Sequence, residues 1–220
     1  MIDVLRATTV IAHALDAGAS RIVPCLEVDK ARQIKASDAA DNVLLGGERG
    51  GLPIDGFDLG NSPQDYTAER VSGRAIAFTT TNGTRALESC RGASRVVTAA
   101  FVNLSAACAS LTTAEHVEIV CAGTNGQPTR EDILAAGAIC ESLGAGWTAN
   151  DAAAIARAAW TSVSRSLAEE LRDTQGGRNL IRLGLEGDIE VAAEADRFAC
   201  VPVLDQARWQ ITLPHSDVDC

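Results

Sequence analysis

The sequence lacks the features that mark membrane, exported and zinc-binding proteins. No apolar run approaches the roughly 18 residues needed to cross a bilayer, and Met1 is followed without a basic leader or a cleavage site. The seven cysteines form no C-x-x-C pair, and the three histidines show neither H-x-x-x-H nor H-E-x-x-H spacing. We therefore expect a cytoplasmic protein with free thiols, no membrane partner and no structural zinc. Any bound metal should have oxygen ligands.

Positive charge is also scarce, with 19 Lys and Arg against 29 Asp and Glu, a formal net charge of −10. Because binding to a phosphate backbone needs clusters of Lys and Arg, and no basic run is present, we expect no nucleic-acid partner. Neither a Walker A motif nor G-x-G-x-x-G occurs, which excludes the familiar nucleotide cradles. A site for an anion in this chain must take positive potential from Arg, backbone N–H groups and a bound cation.

The pattern of apolar residues predicts an α/β fold. Short β-branched runs alternate with Ala-rich amphipathic stretches to about residue 145, which is typical of three α/β/α layers around a mainly parallel, or mixed, sheet. The C-terminal portion is rich in helix, with one long amphipathic stretch over Asp151–Arg172. We predict one domain over 1–220, with two closely packed subdomains, about 1–148 and 149–220, as the alternative. The predicted strands are Ile2–Leu5, Arg21–Pro24, Asn42–Leu45, Arg74–Phe78, Arg95–Ala99 and Val117–Cys121, with Val201–Leu204 as an edge strand.

Three predicted strand-to-helix loops carry unusual polar residues: 2–9 (IDVLRATT), 78–84 (FTTTNGT) and 121–126 (CAGTNG). Ligands of parallel sheets bind at the carboxyl ends of the strands, where backbone N–H groups can converge on an anion. Taken singly, each loop is better explained by turn and N-cap residues, and Thr129 with Asp132 fits a capping box. Taken together, the three loops favour an anion site.

Residues 46–66 are rich in Gly, Asp, Asn and Pro and predict a long loop of the kind that is often functional. Within it Glu48 and Arg49 are flanked by two Gly-Gly pairs, an arrangement without an evident packing purpose. Ser62 precedes Pro63, so we interpret Ser62 as the N-cap of a helix rather than as a nucleophile.

These motifs resemble those of the 2-phosphosulfolactate phosphatases. The resemblance rests on 2–9, 46–51 (GGERGG), 56–63 (GFDLGNSP), 79–84 (TTTNGT), and 121–124 (CAGT) followed by Glu131 and Asp132, and it covers almost the whole chain. It implies a three-layer α/β fold and an Mg²⁺-dependent acid phosphatase. It also implies 2-phosphosulfolactate as the substrate, in a step toward coenzyme M, with activity on other phosphorylated 2-hydroxy acids.

We assign roles to the residues of these motifs on this basis. Catalysis is assigned to Asp3, Arg6, Glu48 and Asp132, and Mg²⁺ binding to Asp3, Glu48, Glu131 and Asp132, with Asp58 in reserve. Arg6 should bind the phosphoryl oxygens, and Arg49, or else Arg85, the carboxylate or sulfonate. The predicted substrate-binding residues are Arg49, Asn61, Thr80, Thr81, Asn82, Gly83, Thr84, Gly123 and Thr124.

Several alternatives stay open at the level of sequence. The nucleophile is either an Mg²⁺-activated water, which we prefer, or Asp3 attacking to form an acyl phosphate. The same site would serve a phosphotransferase or lyase, or a protein that binds an organic phosphate without turnover. The Ala-rich helix that carries Trp160 could form a homodimer face, or Trp160 could be an ordinary core residue.

Overall fold

The structure is a computed structural model that describes residues 1–38 and 42–214. Its sheet has seven strands in the order β3-β2-β4-β1-β7-β6-β5. The strands are β1 Arg21–Pro24, β2 Val43–Arg49, β3 Leu52–Pro53, β4 Ala75–Thr79, β5 Val96–Val97, β6 Val203–Asp205 and β7 Gln210–Thr212.

Helices cover the sheet and form the C-terminal portion. They are α1 Ala7–Asp16, α2 Val28–Ala36, α3 Ala68–Val71, α4 Gly83–Ser89, α5 Leu104–Ala109, α6 Arg130–Leu143, α7 Asp151–Thr161, α8 Leu167–Arg172, α9 Gln175–Arg182 and α10 Gly187–Ala192, with 3₁₀ turns at Pro63–Asp65 and Phe101–Asn103. Across the described ranges, no helix has the length and apolar character needed to span a bilayer.

The central strand β4 shows why helices pack on both faces of the sheet. Its alternate residues point to opposite faces. Ile76 and Phe78 join a core that includes α1 and α4 residues, whereas Ala75 and Ala77 join a second core with Ala31 of α2. The α/β class is therefore confirmed. The sheet is mixed: β2 and β1 flank β4 in parallel, while β3, β6 and β7 pair antiparallel.

The predicted strands Ile2–Leu5 and Val117–Cys121 do not form regular strands, since they are joined by a bridge at Ile2 and residues 4–6 already form a turn. Ile2 bridges both Ala99 and Cys121 in parallel. Beyond Ile2 the backbone N–H groups leave the ladder, since the amide of residue 3 donates to the Thr8 hydroxyl at 3.1 Å and the amide of residue 4 to the Asp132 carboxylate at 2.9 Å. The strand predicted at 201–204 is β6, which lies between β7 and β5 and not at an edge.

The loop predicted over 46–66 begins later than expected, because β2 continues through Arg49. Glycine is required at two of these β2 positions. A Cβ on Gly47, which has φ +134°, would lie 1.9 Å from the Thr79 carbonyl oxygen, and a Cβ on Gly46 would lie 2.6 Å from the Tyr66 hydroxyl. The glycines of this motif thus allow the close backbone packing of β2 that precedes Glu48.

The long amphipathic stretch predicted over 151–172 is two helices, α7 and α8, because Ser166 forms a capping box with Glu169 and starts a new helix. Helix α7 packs closely on α6 at Gly137, where a Cβ would lie 2.1 Å from a carbonyl oxygen of α7. Trp160 stacks on the buried ring of Phe101 with centroids 5.7 Å apart, which favours the core interpretation. The subdomain boundary and the homodimer stay predictions.

Candidate active site

The predicted loops meet around one cavity of about 450 Å³, a size suited to a small organic ligand. It lies where β2, β4 and the extended segments 1–3 and 120–122 end. The structure brings ten of the predicted residues to its lining: Asp3, Arg6, Glu48, Asn61, Thr81, Asn82, Gly123, Thr124, Glu131 and Asp132. Polar residues at the ends of separate strands converge because parallel segments end at the same edge of the sheet.

Two of the four lining carboxylates hold the loops together. Glu48 accepts the Thr81 N–H at 2.6 Å with one oxygen and the Gly51 N–H at 2.6 Å with the other. Asp132 accepts the amide of residue 4 and the Gly123 N–H, each at 2.9 Å. Both carboxylates are buried. Their hydrogen bonds tie together segments that are far apart in sequence, which sets the shape of the cavity.

The other two carboxylates have free oxygens. Among the described residues, Asp3 accepts only the Ala7 N–H, at 3.3 Å, through Oδ1, and Oε2 of buried Glu131 has no hydrogen-bond partner. The capping box expected at the start of α6 is not formed, since the Thr129 side chain makes no capping bond. Asp3 and Glu131 are therefore the carboxylates best placed to bind a cation.

The buried carboxylates perturb one another. Burial, with smaller contributions from the negative charges of Glu48 and Glu131, raises the pKa of Asp3 to about 7, although the hydrogen bond from the Ala7 N–H lowers it. Burial, followed by the charge of Asp3, raises the pKa of Asp132 well above its ordinary value. So many acidic groups in a site of low dielectric repel one another, and a cation among them would relieve that repulsion.

Arg6 enters the cavity from the turn before α1 and is itself buried. It forms an ion pair with Asp188 of α10 at 2.7 Å and donates to the Gly51 carbonyl oxygen at 2.8 Å. Asp188 also accepts the Ser62 hydroxyl at 2.5 Å and the Gln64 amide at 3.4 Å. Ser62 precedes the 3₁₀ turn as predicted, but its side chain caps nothing and instead holds the partner of Arg6.

Two predicted residues lie away from the cavity. Arg49 turns toward the far side of β2, where its guanidinium donates to the Leu26 carbonyl oxygen and the Thr79 hydroxyl, both at 2.8 Å. Asp58 forms an ion pair with Lys35 at 2.7 Å. Burial raises the pKa of Asp58, but hydrogen bonds from the Leu45 N–H and from Lys35 outweigh it, so the pKa is lowered. The structure brings neither side chain to the site.

Three residues of the 79–84 motif lie behind the lining. Thr80 accepts the Thr84 N–H at 3.2 Å, and the Thr84 hydroxyl donates to the Thr80 carbonyl oxygen at 2.7 Å, which closes the first turn of α4. Gly83 lies directly against the Asp3 carboxylate, since a Cβ on Gly83 would lie 2.6 Å from Oδ2 of Asp3. Arg85 is exposed and does not line the cavity.

One wall of the cavity is formed by α9 and was not predicted from the sequence. Its contribution is Gly176, Asn179, Leu180, Arg182 and, just after the helix, Leu183. Asp188, the partner of Arg6, was also missed. Helix α9 carries no recognisable motif and lies more than forty residues from the nearest motif in the chain. The one available signal was the Gly176-Gly177 pair, because glycines inside a helix often mark a close approach.

The donor set is compatible with Mg²⁺. Within the described ranges, no three His, Cys, Asp or Glu side chains form a preassembled metal site. Mg²⁺ does not require one, since it is held by one or two carboxylates and keeps several waters. The free oxygens of Asp3 and Glu131 meet that requirement, and the lining offers oxygen donors rather than thiols or imidazoles.

Comparison with known proteins shows the family of the chain. The family model described as 2-phosphosulpholactate phosphatase matches residues 1–207. A protein of Symbiobacterium thermophilum is 41% identical over 212 residues, covering 94% of this chain and 91% of the relative. One of Thermotoga maritima is 41% identical over 204 residues, with 93% and 87% covered. Both carry the name "Probable 2-phosphosulfolactate phosphatase". The chain belongs to the 2-phosphosulpholactate phosphatase family.

Proposed function

We propose that this protein is an Mg²⁺-dependent phosphatase that hydrolyses the phosphate monoester of a small 2-hydroxy acid. The leading substrate is 2-phosphosulfolactate, which would yield sulfolactate and phosphate. The observation that carries the proposal is that buried carboxylates, Arg6 and the loops predicted to bind an anion share one cavity. The names of the relatives support the choice of substrate.

The carboxylates favour an enzyme over a protein that only binds an organic phosphate. Four acidic side chains around the cavity would repel an anionic ligand, and a simple binder would gain nothing from them. In a metal-dependent hydrolase, the same groups hold a cation and handle protons. Hydrolysis of phosphate monoesters is extremely slow without a catalyst, and a cation held in this way would supply the charge neutralisation that the reaction needs.

Asp3 and Glu131 would hold the magnesium ion through the oxygens that lack hydrogen bonds. When bound, Mg²⁺ would neutralise and polarise phosphoryl oxygens. Glu48 and Asp132 have a different role, since their hydrogen bonds to the backbone N–H groups of Thr81 and Gly123 hold those two loops in place beside the cavity.

Arg6 is the cation assigned to the phosphoryl group. Its ion pair with Asp188 and its bond to the Gly51 carbonyl oxygen fix the plane of the guanidinium, and the remaining N–H groups can bind phosphate oxygens. Asn61 is buried in the lining with Oδ1 unpartnered among the described residues, so it offers an acceptor for a water or hydroxyl proton. These groups orient the substrate before reaction, which is the main contribution of a protein to phosphoryl transfer.

The proposed nucleophile is water, and attack by Asp3 is the alternative. Direct attack of water inverts the configuration at phosphorus, whereas a two-step path through an Asp3 acyl phosphate retains it. Hydrolysis of an isotopically chiral phosphorothioate analogue of the substrate, carried out in water of the third oxygen isotope, therefore separates the two routes.

The central test is release of inorganic phosphate by the purified protein from 2-phosphosulfolactate, 2-phospholactate, 2-phosphoglycolate and a sugar phosphate, each with Mg²⁺ and with EDTA. We expect release that depends on Mg²⁺ and is fastest with the sulfonate. Turnover that needs a second substrate, or that consumes the ester without free phosphate, would instead indicate a transferase or lyase. Binding without any turnover would indicate a binding protein.

A further inference from the structure

We propose that Arg182 binds the second acidic group of the substrate, the carboxylate or sulfonate that accompanies the phosphate, and thereby selects phosphorylated acids over other phosphate monoesters. This inference rests on the proposed function and names the residue that recognises the part of the substrate other than its phosphate. Arg49, the residue first predicted for this role, does not line the cavity.

The charges of the lining point to Arg182. The cationic residues in the lining of the cavity are Arg6 and Arg182. Arg6 is buried and its charge is balanced by Asp188 at 2.7 Å. Arg182 is exposed at the mouth and donates to Oδ1 of Asn179, a neutral amide. Among the described residues it forms no ion pair, so its positive charge is available to a ligand.

The position of Arg182 suits a group at a distance from the phosphate. The first turn of α9 lies beside the proposed metal site, since a Cβ on Gly176 would lie 2.4 Å from Oε1 of Glu131. Arg182 is the last residue of the same helix. Arg182 follows Gly176 by six positions, which corresponds to about 9 Å along a helix axis. The long Arg side chain can reach back over part of that distance, so one ligand can bind near Glu131 and also touch Arg182.

An arginine in the last turn of a helix also stabilises the helix through its carbonyl groups and macrodipole. Arg178 allows the two roles to be separated. It lies one turn earlier in α9, donates to the Asp173 carbonyl oxygen and does not line the cavity. Arg178→Gln and Arg182→Gln each remove one positive charge from the same helix, but only the second should change substrate choice.

The experiment measures kcat and KM of wild type, Arg182→Gln, Arg182→Lys and Arg178→Gln with 2-phosphosulfolactate and with p-nitrophenyl phosphate, which lacks a second acidic group. We expect Arg182→Gln to raise KM for 2-phosphosulfolactate about 10- to 100-fold, as for the loss of a charged hydrogen bond. Its kcat and its KM for p-nitrophenyl phosphate should stay within about twofold. The KM of Arg182→Lys for 2-phosphosulfolactate should lie between those of the wild type and Arg182→Gln. The kinetic constants of Arg178→Gln should match those of the wild type.

Calorimetric titration with sulfolactate, which lacks the phosphate, tests the subsite without turnover. Wild type should bind it and Arg182→Gln should bind it at least about tenfold more weakly. Equal changes in KM for both substrates, an equal effect of Arg178→Gln, or sulfolactate binding unaffected by Arg182→Gln would overturn the proposal. Failure of the proposed function is a distinct result, in which wild type releases no phosphate from any ester while the titration still reports on Arg182.

Discussion

Replacing Gly176 by alanine would test the role of Glu131 without removing any charge. A Cβ on Gly176 would lie 2.4 Å from Oε1 and 3.0 Å from Cδ of Glu131, whereas ordinary contact begins near 3.4 Å. The carboxylate must therefore move by about 1 Å. A displacement of this size at a reacting centre costs on the order of 10²-fold in rate.

Stability should not fall with activity in this variant. The atoms that must move are the end of a side chain rather than backbone. In addition, alanine is favoured over glycine in a helix by up to about 1 kcal/mol. We expect Gly176→Ala to unfold at or slightly above the wild-type temperature, with kcat reduced about 100-fold and a higher Mg²⁺ concentration needed for half-maximal rate.

The assay is phosphate release from 2-phosphosulfolactate over a range of Mg²⁺ concentrations, together with thermal unfolding followed by circular dichroism. Gly146→Ala is the matched control, because a Cβ there meets no atom within 4 Å and the residue does not have a left-handed φ. Wild-type kcat and Mg²⁺ dependence in Gly176→Ala would refute the placement of Glu131 in the reactive site.

Three further predictions follow from single contacts. Gly177→Ala should lower the free energy of unfolding by about 1–3 kcal/mol, unlike Gly176→Ala, because its Cβ would lie 2.0 Å from the Leu171 carbonyl oxygen; urea unfolding measures this, and wild-type stability would contradict it. Asp188→Asn should destabilise the fold by about 3–5 kcal/mol by leaving buried Arg6 unpaired. Adding Arg6→Gln should restore stability but not activity, and recovery of both would show that Arg6 is only structural. Burial, followed by the charge of Arg197, lowers the pKa of His13 from 6.5 to about 4, so the folded state binds its proton less well than the unfolded chain. Its stabilising contribution is complete above pH 6.5 and is lost as the pH falls toward 4; urea unfolding at pH 7.5 and 5 should show a smaller loss for His13→Gln, and equal losses would refute this.

Much of the site could be predicted from sequence because its polar residues follow short β-branched runs. Asp3 and Glu48 come at or near the ends of extended segments, and parallel segments that end together bring such residues together. Local pattern also gave the α/β class. It could not place β6 inside the sheet, because β7 follows β6 directly in the chain but the partner on its other side, β5, comes from a distant part of the chain.

The direction of individual side chains could not be predicted. Glu48 and Arg49 are neighbours in one motif, yet alternation along β2 sends the first into the cavity and the second to Leu26. Ser62 has the sequence context of a cap, but a stronger acceptor, Asp188, arrives from α10. In each case, the deciding contact comes from a segment that is remote in sequence.

The amino-acid sequence by itself determined the chemistry of this protein: acidic residues, one buried arginine and small polar loops at the ends of extended segments. Only the tertiary structure decided how those groups divide their work. Backbone N–H groups occupy both oxygens of Glu48 and of Asp132, whereas Asp3 and Glu131 each keep an oxygen without a partner among the described residues, and packing of α9 over the cavity adds Arg182. The reason is that hydrogen bonds between distant segments form only when the chain has folded, and the atoms they occupy determine which ones remain for a ligand.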